Sequence, residues 1–89
     1  MTPVEHATAE IARREWGCWA MMDESGSDMI FLRWRGPFPD MPVGYRRDLV
    51  IGLALTGDVS NDLRWLFADA EFHAKQIGFD PKRGNPKEA

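Results

Sequence analysis

The apolar run at residues 49–55, LVIGLAL, decides which architectures are open to this chain. As a helix the run is short, and a glycine in a helix interior costs about 1 kcal/mol relative to alanine. As a strand it separates large from small side chains, with Leu49, Ile51, Leu53 and Leu55 on one face and Val50, Gly52, Ala54 and Thr56 on the other. The pattern favours a strand over residues 48–56, and a short helix is the alternative.

Two segments upstream of this run predict a β-hairpin. CWAMMD and DMIFLRWRG flank residues 24–27, whose Glu-Ser-Gly-Ser composition suits a tight reversal, so strands are expected near 18–23 and 28–36. Because an isolated two-stranded hairpin is marginal in water, a third strand over 48–56 would complete a stable sheet. Alternation in the second strand places Ile30, Leu32 and Trp34 on one face and Met29, Phe31, Arg33 and Arg35 on the other.

Capping signals predict a first helix at the start of the chain. Thr2 is a suitable N-cap and Glu5 completes a capping box with it, while Pro3 fits the first helical position. Gly17 is expected to end this helix in the left-handed conformation. A narrow stripe of small apolar residues would lie flat on a sheet: Val4, Ala7 and Ile11.

The segment SNDLRWLFADAEFHAKQIGF predicts the last helix. Asp58 or Ser60 can cap its first turn, and Gly78 is expected to end it. Six apolar residues fall on one broad face that should point to the core: Leu63, Leu66, Phe67, Ala70, Ala74 and Ile77.

These elements predict a single small α+β domain in the order α-β-β-β-α, with a three-stranded antiparallel sheet packed by two helices. The domain is expected to span residues 1–79, followed by a flexible C-terminal tail over 80–89. The double-stranded-RNA-binding domain has the same order of elements and contacts RNA through a lysine cluster at the start of its last helix. This chain reads SNDLRW there, with Arg64 as the one basic residue, so no function is carried over.

The sequence predicts no enzyme activity and no cofactor. His73 follows Asp69 by four residues, so the carboxylate could orient the imidazole as a general base. No serine, cysteine or second histidine is placed to complete such a site, and His73 is expected at the edge of the core. Two histidines and one cysteine match no metal-ligand spacing, and the glycines match no phosphate-binding motif. We therefore expect a non-enzymatic protein with no catalytic, cofactor or metal site.

Charge and cysteine content indicate the setting of the protein. Cys18 is the single cysteine, which excludes an intrachain disulfide, fits a reducing compartment and is typical of a buried structural thiol. The longest apolar run is far shorter than the ~20 residues of a membrane span. The protein is expected to be cytoplasmic, and its formal net charge of −3 disfavours nucleic-acid binding by the whole surface.

The stretch RWRGPFPDMPVGYRR, residues 33–47, is a candidate binding surface. It carries four arginines, three prolines and three aromatic residues against a single carboxylate. Arginine combined with aromatic residues is typical of protein hot spots and of nucleic-acid surfaces. In the alternative interpretation the arginines pair with the protein's own carboxylates and the prolines only shape a loop. The predicted contact residues in and beside this stretch are Phe31, Arg33, Arg35, Phe38, Tyr45, Arg46 and Arg47.

The last helix carries a second candidate surface. Trp65, Ala68 and Phe72 follow helical spacing and lie about 180° from the core face. Large aromatic side chains on the outer face of a surface helix are costly unless something covers them. Either a partner or another part of this chain is expected to do so.

The preferred function is a small protein-binding module: an adaptor, an inhibitor or a subunit of a larger assembly. An inhibitor of a host system carried by a phage or other mobile element, of the anti-CRISPR kind, is one form that such a module can take at this size. The first alternative is a single-stranded nucleic-acid-binding domain that uses Phe31, Arg33, Arg35 and Tyr45. The second alternative is a homo-oligomeric structural subunit joined through Trp65 and Phe72.

Overall fold

A computed structural model describes residues 2–23, 25 and 28–84. The elements are α1 (Pro3–Arg14), β1 (Cys18–Met22), β2 (Met29–Trp34), β3 (Leu49–Ala54) and α2 (Val59–Ile77). The strands form one antiparallel sheet in the order β1-β2-β3, which confirms the predicted α+β architecture and the strand at the ambiguous apolar run. Three residues of the predicted hairpin turn, 24, 26 and 27, lie outside the described residues.

The sheet has two different faces. The register pairs Leu32 of β2 with Ala20 of β1 and with Ile51 of β3, so these residues share one face. On this inner face, Ile30, Leu32 and Trp34 are fully buried under α1 and α2, as the alternation predicts. On the outer face, no helix covers the sheet within the described chain.

The first helix begins as predicted and ends earlier than predicted. Thr2 and Glu5 form the capping box, with the Glu5 N–H donating to Thr2 Oγ1 at 3.1 Å. The helix ends at Arg14, and Glu15 rather than Gly17 takes the left-handed conformation, with φ 59°. Gly17 serves a different purpose, because a Cβ there would lie 2.2 Å from the carbonyl oxygen of Arg83.

The last helix matches the sequence prediction at both ends. Asp58 is the N-cap and accepts from the Asn61 N–H at 3.2 Å, and Gly78 ends the helix with φ 73°. Most of the predicted core face is buried, while Ile77 packs at the edge of the core. No helix in the described ranges is both long enough and apolar enough to cross a bilayer.

The connection between β2 and β3, residues 35–48, is called the proline loop here. Its apolar residues turn inward: Phe38 is 3% exposed and Met41 is also buried, so both belong to the core. The Phe38 N–H donates to the Arg46 carbonyl at 2.7 Å, which brings the two arms of the loop together. The Gly36–Pro37 peptide bond is cis.

The segment after α2, residues 79–84, packs against the domain. Phe79 is buried, and its ring makes edge contacts with Trp34 and Phe38 at centroid distances of 6.0 and 4.9 Å. Aromatic pairs in this geometry contribute beyond the area that they bury. Residues 79–84 therefore complete the core beneath the proline loop.

Two further residues of this segment hold it in place by polar contacts. The Pro81 carbonyl accepts from the Gly17 N–H at 2.9 Å and from Trp34 Nε1 at 2.7 Å. The Arg83 guanidinium binds both carboxylate oxygens of Asp40, at 2.8 and 2.9 Å.

We predicted a flexible tail over residues 80–89. In the structure, Pro81 and Arg83 join residues 80–84 to three separate parts of the domain. A polar composition suggested fraying, but the contact at Pro81 is made by the backbone carbonyl, which composition does not report. Residues 85–89 lie outside the described residues.

Candidate functional site

The outer face of α2 carries the most exposed aromatic side chains of the described structure. Trp65 is 62% exposed and Phe72 is 63% exposed, and the two lie two helical turns apart on the same side, with Ala68 between them. These three residues are called the aromatic stripe. The structure places them as predicted, and no described part of the chain folds over them.

One flank of the aromatic stripe is formed by an ion network between the two helices. Glu10 binds Arg13 and Arg14, and Arg14 also binds Glu71 of α2. The Arg13 and Arg14 guanidiniums lower the pKa of Glu10 to about 2. Arg14 also lies over the ring of Phe67, at 5.1 Å, so the network closes the junction of the helices. The network therefore joins α1 to α2.

A groove of about 460 Å³ runs between the helices next to this network. Leu63 and Phe67 supply apolar lining, and His6 and Arg64 supply polar lining. Its volume is within the range of small-molecule pockets. Arg64 is held by Asn61, whose Oδ1 accepts from its guanidinium at 2.7 Å.

The other flank of the aromatic stripe belongs to the proline loop. Tyr45 is half-buried and meets His73 of α2 edge to face, with ring centroids 5.7 Å apart. His73 is itself half-buried, which agrees with the predicted position at the edge of the core. Tyr45 is one of the predicted contact residues, and its ring joins the loop to the helix.

The arginines of residues 33–47 have different environments. Arg33 donates from Nε to Asp48 Oδ2 at 2.8 Å, and Arg46 donates from Nε to the Met41 carbonyl at 2.9 Å. These two residues fit the interpretation in which arginines stabilise the loop. Arg35 and Arg47 are exposed, and neither has an ion-pair partner among the described residues.

Asp48 is a residue of this site that the sequence analysis did not single out. Its Oδ1 accepts from the Gly36 N–H at 2.8 Å, while Oδ2 binds Arg33, so one carboxylate fastens both ends of the proline loop. The backbone N–H of Gly36 and the charge of Arg33 hold the pKa of Asp48 below its usual range. A carboxylate directly after a run of arginines is the signal that could have identified it.

Phe38 corrects a predicted contact residue. Its ring is buried in the core against Phe79, so it cannot reach a partner. The stretch RWRGPFPDMPVGYRR alternates apolar and polar residues irregularly, and nothing in it marks Phe38 as more buried than Val43. The structure buries Phe38 and leaves Val43 exposed.

The outer face of the sheet presents a second group of apolar residues. The register places Trp19 beside Arg33 and Val50, and Met21 beside Phe31 and Gly52. The four apolar members of these two rows are half-buried or exposed: Trp19, Met21, Phe31 and Val50. Trp19 and Met21 were not predicted as contact residues, although alternation with buried Cys18 in CWAMMD could have identified them.

Two other titratable groups have structural roles. Burial raises the pKa of the Cys18 thiol to about 12, because the thiolate would be desolvated. Asp62 is 2% exposed and accepts from both the N–H and the hydroxyl of Thr56, at 2.9 and 2.7 Å, which lowers its pKa. Among the described residues, no group of three His, Cys, Asp or Glu side chains could hold a metal ion.

Comparison of the chain with known protein families, with curated proteins and with solved structures gave no match.

Proposed function

We propose that this protein is a non-enzymatic binding module that docks onto another protein through the aromatic stripe of α2. The observation that carries the proposal is the exposure of Trp65 and Phe72, at 62% and 63%, on one side of a helix whose other side is buried. Scattered apolar residues are normal on a protein surface, but two aromatic rings aligned on one helix face form a patch.

The fold presents this patch on a rigid support. The helix is capped by Asp58 and ended by Gly78, and its buried side packs on β3, so it does not depend on a partner for its structure. A pre-formed helix binds with a smaller entropic cost than a segment that must fold on binding. Aromatic anchors at positions i and i+7 suit insertion into an apolar groove of a partner.

The charges around the stripe favour a partner groove with a polar rim of both signs. Asp69 lies one turn from Trp65, and Arg64 and Lys75 are exposed beside the stripe. A module of this kind could act as an adaptor, an inhibitor or an assembly subunit.

Affinity capture followed by mass spectrometry tests the proposal. The wild-type protein and the Trp65→Ser/Phe72→Ser double variant would each be used as bait in lysate of the native host. We expect a specific partner that the double variant loses, because truncated hot-spot residues cost about 2 kcal/mol or more of binding free energy. Val43→Ser is the matched control, since it also removes an exposed apolar side chain but lies in the proline loop.

Two outcomes would contradict this proposal. Equal loss of the partner by Val43→Ser would show that the stripe is not the contact. A wild-type protein that sediments as a dimer at low micromolar concentration, and a double variant that sediments as a monomer, would assign the stripe to self-association instead.

A further inference from the structure

The outer face of the sheet is an uncovered apolar surface that differs from the aromatic stripe in its shape and its neighbouring charges. It is lined by apolar side chains from all three strands, two of them aromatic, and no helix lies over it in the described chain. The ring of Phe31 occupies the space above Gly52, where an added Cβ would lie 2.5 Å from two of its ring carbons. A glycine at this position therefore lets an aromatic ring lie low across the sheet.

The register makes the two aromatic residues of this face neighbours on the sheet. Trp19 pairs directly with Arg33, and Met21 pairs with Phe31, so Trp19 and Phe31 are diagonal neighbours on adjacent strands. Diagonal neighbours in an antiparallel pair lie about 7–8 Å apart. At this backbone spacing the two residues can present their rings to neighbouring bases of one extended strand.

Positive charge collects at one end of this face. Arg33 lies over the Trp19 ring, with its Cζ 5.7 Å from the ring centroid, and the exposed Arg35 directly follows the end of β2. Arg33 and Arg47 also line an open groove of about 440 Å³ at the start of the proline loop. Asp48, which faces this groove, already accepts from Arg33 and from a backbone N–H.

The nearest other carboxylate of the loop is neutralised as well. Asp40 is bound through both oxygens by Arg83. Three exposed arginines of this region, Arg35, Arg46 and Arg47, have no carboxylate partner within ion-pair distance among the described residues, although the chain as a whole carries a net charge of −3. Local positive potential at the site, rather than the net charge, attracts a polyanion at close range, because salt screens distant charges.

We propose that the outer sheet face binds single-stranded nucleic acid, with bases stacked on Trp19 and Phe31 and phosphates contacted by Arg35 and Arg47. Aromatic rings beside a basic groove bind single strands with little sequence preference, because every base has a π-face. Single strands fit better than duplexes, since their bases are free to leave the stack. This site is separate from the aromatic stripe and does not depend on the proposed protein partner.

A second copy of the chain fits this face less well. At standard strand spacing the face measures roughly 20 Å by 14 Å, far below the ~800 Å² that each partner buries in a typical stable interface. An acidic protein segment could satisfy the arginines, but its carboxylates would not stack on the Trp19 and Phe31 rings. Nucleic acid uses both features.

Fluorescence anisotropy with a labelled 15-nucleotide oligothymidylate and a labelled 15-nucleotide oligouridylate, at 20 mM salt, tests the proposal. We expect binding to both, weaker binding to a duplex of equal length, and a slope of log K against log salt near −1.4 for two phosphate contacts. Arg35→Glu/Arg47→Glu should abolish binding, and Phe31→Ala should weaken it by about 5- to 150-fold, the range for loss of one base–aromatic stack.

The matched control is Arg64→Glu/Lys75→Glu, which changes the net charge by the same amount on the exposed side of α2. It should bind both oligonucleotides about as well as the wild type. Circular dichroism melting checks that each variant folds. If Phe31→Ala does not fold, Arg35→Glu/Arg47→Glu still decides the test, because Arg35 and Arg47 are exposed and their substitution should leave the fold intact.

Three results would overturn the proposal. The first is absence of binding to either oligonucleotide by the wild-type protein at 20 mM salt. The second is equal loss of binding in the control and in Arg35→Glu/Arg47→Glu. The third is competition by a poly-glutamate peptide as effective as that of unlabelled oligothymidylate, which would assign the face to an acidic protein segment.

Discussion

The helix α2 and the proline loop both carry aromatic residues that the sequence predicts as contacts, but the structure treats them differently. In α2 the predicted division is the observed one, with Leu66 buried and Trp65 and Phe72 exposed. In the proline loop the division is different: Phe38 enters the core and Tyr45 packs on the helix. The same kind of residue is thus a surface residue in one region and a structural residue in the other.

The difference has a physical origin. A helix rotates each residue by a fixed angle, so burial of one side determines the exposure of the other from the sequence alone. A loop has no such period, and its side chains are oriented by contacts with distant residues. For Phe38 these contacts come from Phe79, far along the chain, and from the closure of the loop by Asp48.

The largest expected effect tests whether the proline loop belongs to the core. Phe38→Ala should lower the free energy of unfolding by about 3–5 kcal/mol, as truncation of a buried phenylalanine does. Chemical denaturation measures this loss. Val43→Ala is the control in the same loop and should change stability by less than about 0.5 kcal/mol. Equal, small effects at both positions would mean that Phe38 is not a core residue, and the proline loop would then not differ from the exposed side of α2.

The corresponding test in α2 uses its buried side. Leu66→Ala should cost about 2–5 kcal/mol, because Leu66 is fully buried and its truncation leaves a cavity. The same denaturation experiment applies. A loss well below 1 kcal/mol would mean that the helix packs in another orientation, and the observed division between its two sides would be wrong.

Two carboxylates that anchor the two regions should respond to acid. Hydrogen bonds from Thr56 lower the pKa of Asp62 at the start of α2, and the Gly36 N–H and Arg33 lower that of Asp48 in the proline loop. A lowered folded-state pKa gives stability that is present above the unfolded pKa, about 3.9, and is lost as the pH falls through the folded value. The melting temperature should therefore decrease as the pH drops below about 4.

Asparagine variants sharpen this comparison of the two anchors. Asp62→Asn should lower the melting temperature at pH 7 more than Asp48→Asn, because Asp62 is buried and Asp48 is half-buried. Each variant should also show a weaker dependence on acid pH than the wild type. A steeper acid dependence in either variant would contradict the assigned role of that carboxylate.

The smallest expected effect concerns the aromatic stripe. Trp65→Ser and Phe72→Ser should each change the free energy of unfolding by less than about 1 kcal/mol, since both side chains are largely exposed. Losses comparable to that of Leu66→Ala would place the two rings in the core. Denaturation of the three variants side by side gives the comparison.

Much of the fold was predictable because its signals are local. The capping box of Thr2 and Glu5, the Gly78 stop and the alternation in β2 depend on neighbouring residues, and all three are confirmed. Glu15 was missed as the C-cap, because a left-handed non-glycine residue leaves no local signal; its N–H and that of Trp16 donate back to Ala12 and Ile11 in the last turn of the helix.

The candidate surfaces were predictable in part. Trp65 and Phe72 follow from helical period, and Phe31 and Arg33 follow from strand alternation. The burial of Phe38 and the contacts of Pro81 depend on residues more than 40 positions apart, which no local pattern reports. Sequence reasoning therefore finds surface residues on regular elements more reliably than in the proline loop.

The backbone contact between Gly17 and Pro81 has a consequence for how the protein is made. Because synthesis proceeds from the amino terminus, residues 79–84 leave the ribosome after every strand and helix of the domain. Until then Trp34 lacks its hydrogen-bond acceptor and Phe38 lacks the ring of Phe79. The nascent chain therefore carries an incomplete core until residues 79–84 have emerged, and only then can these contacts close.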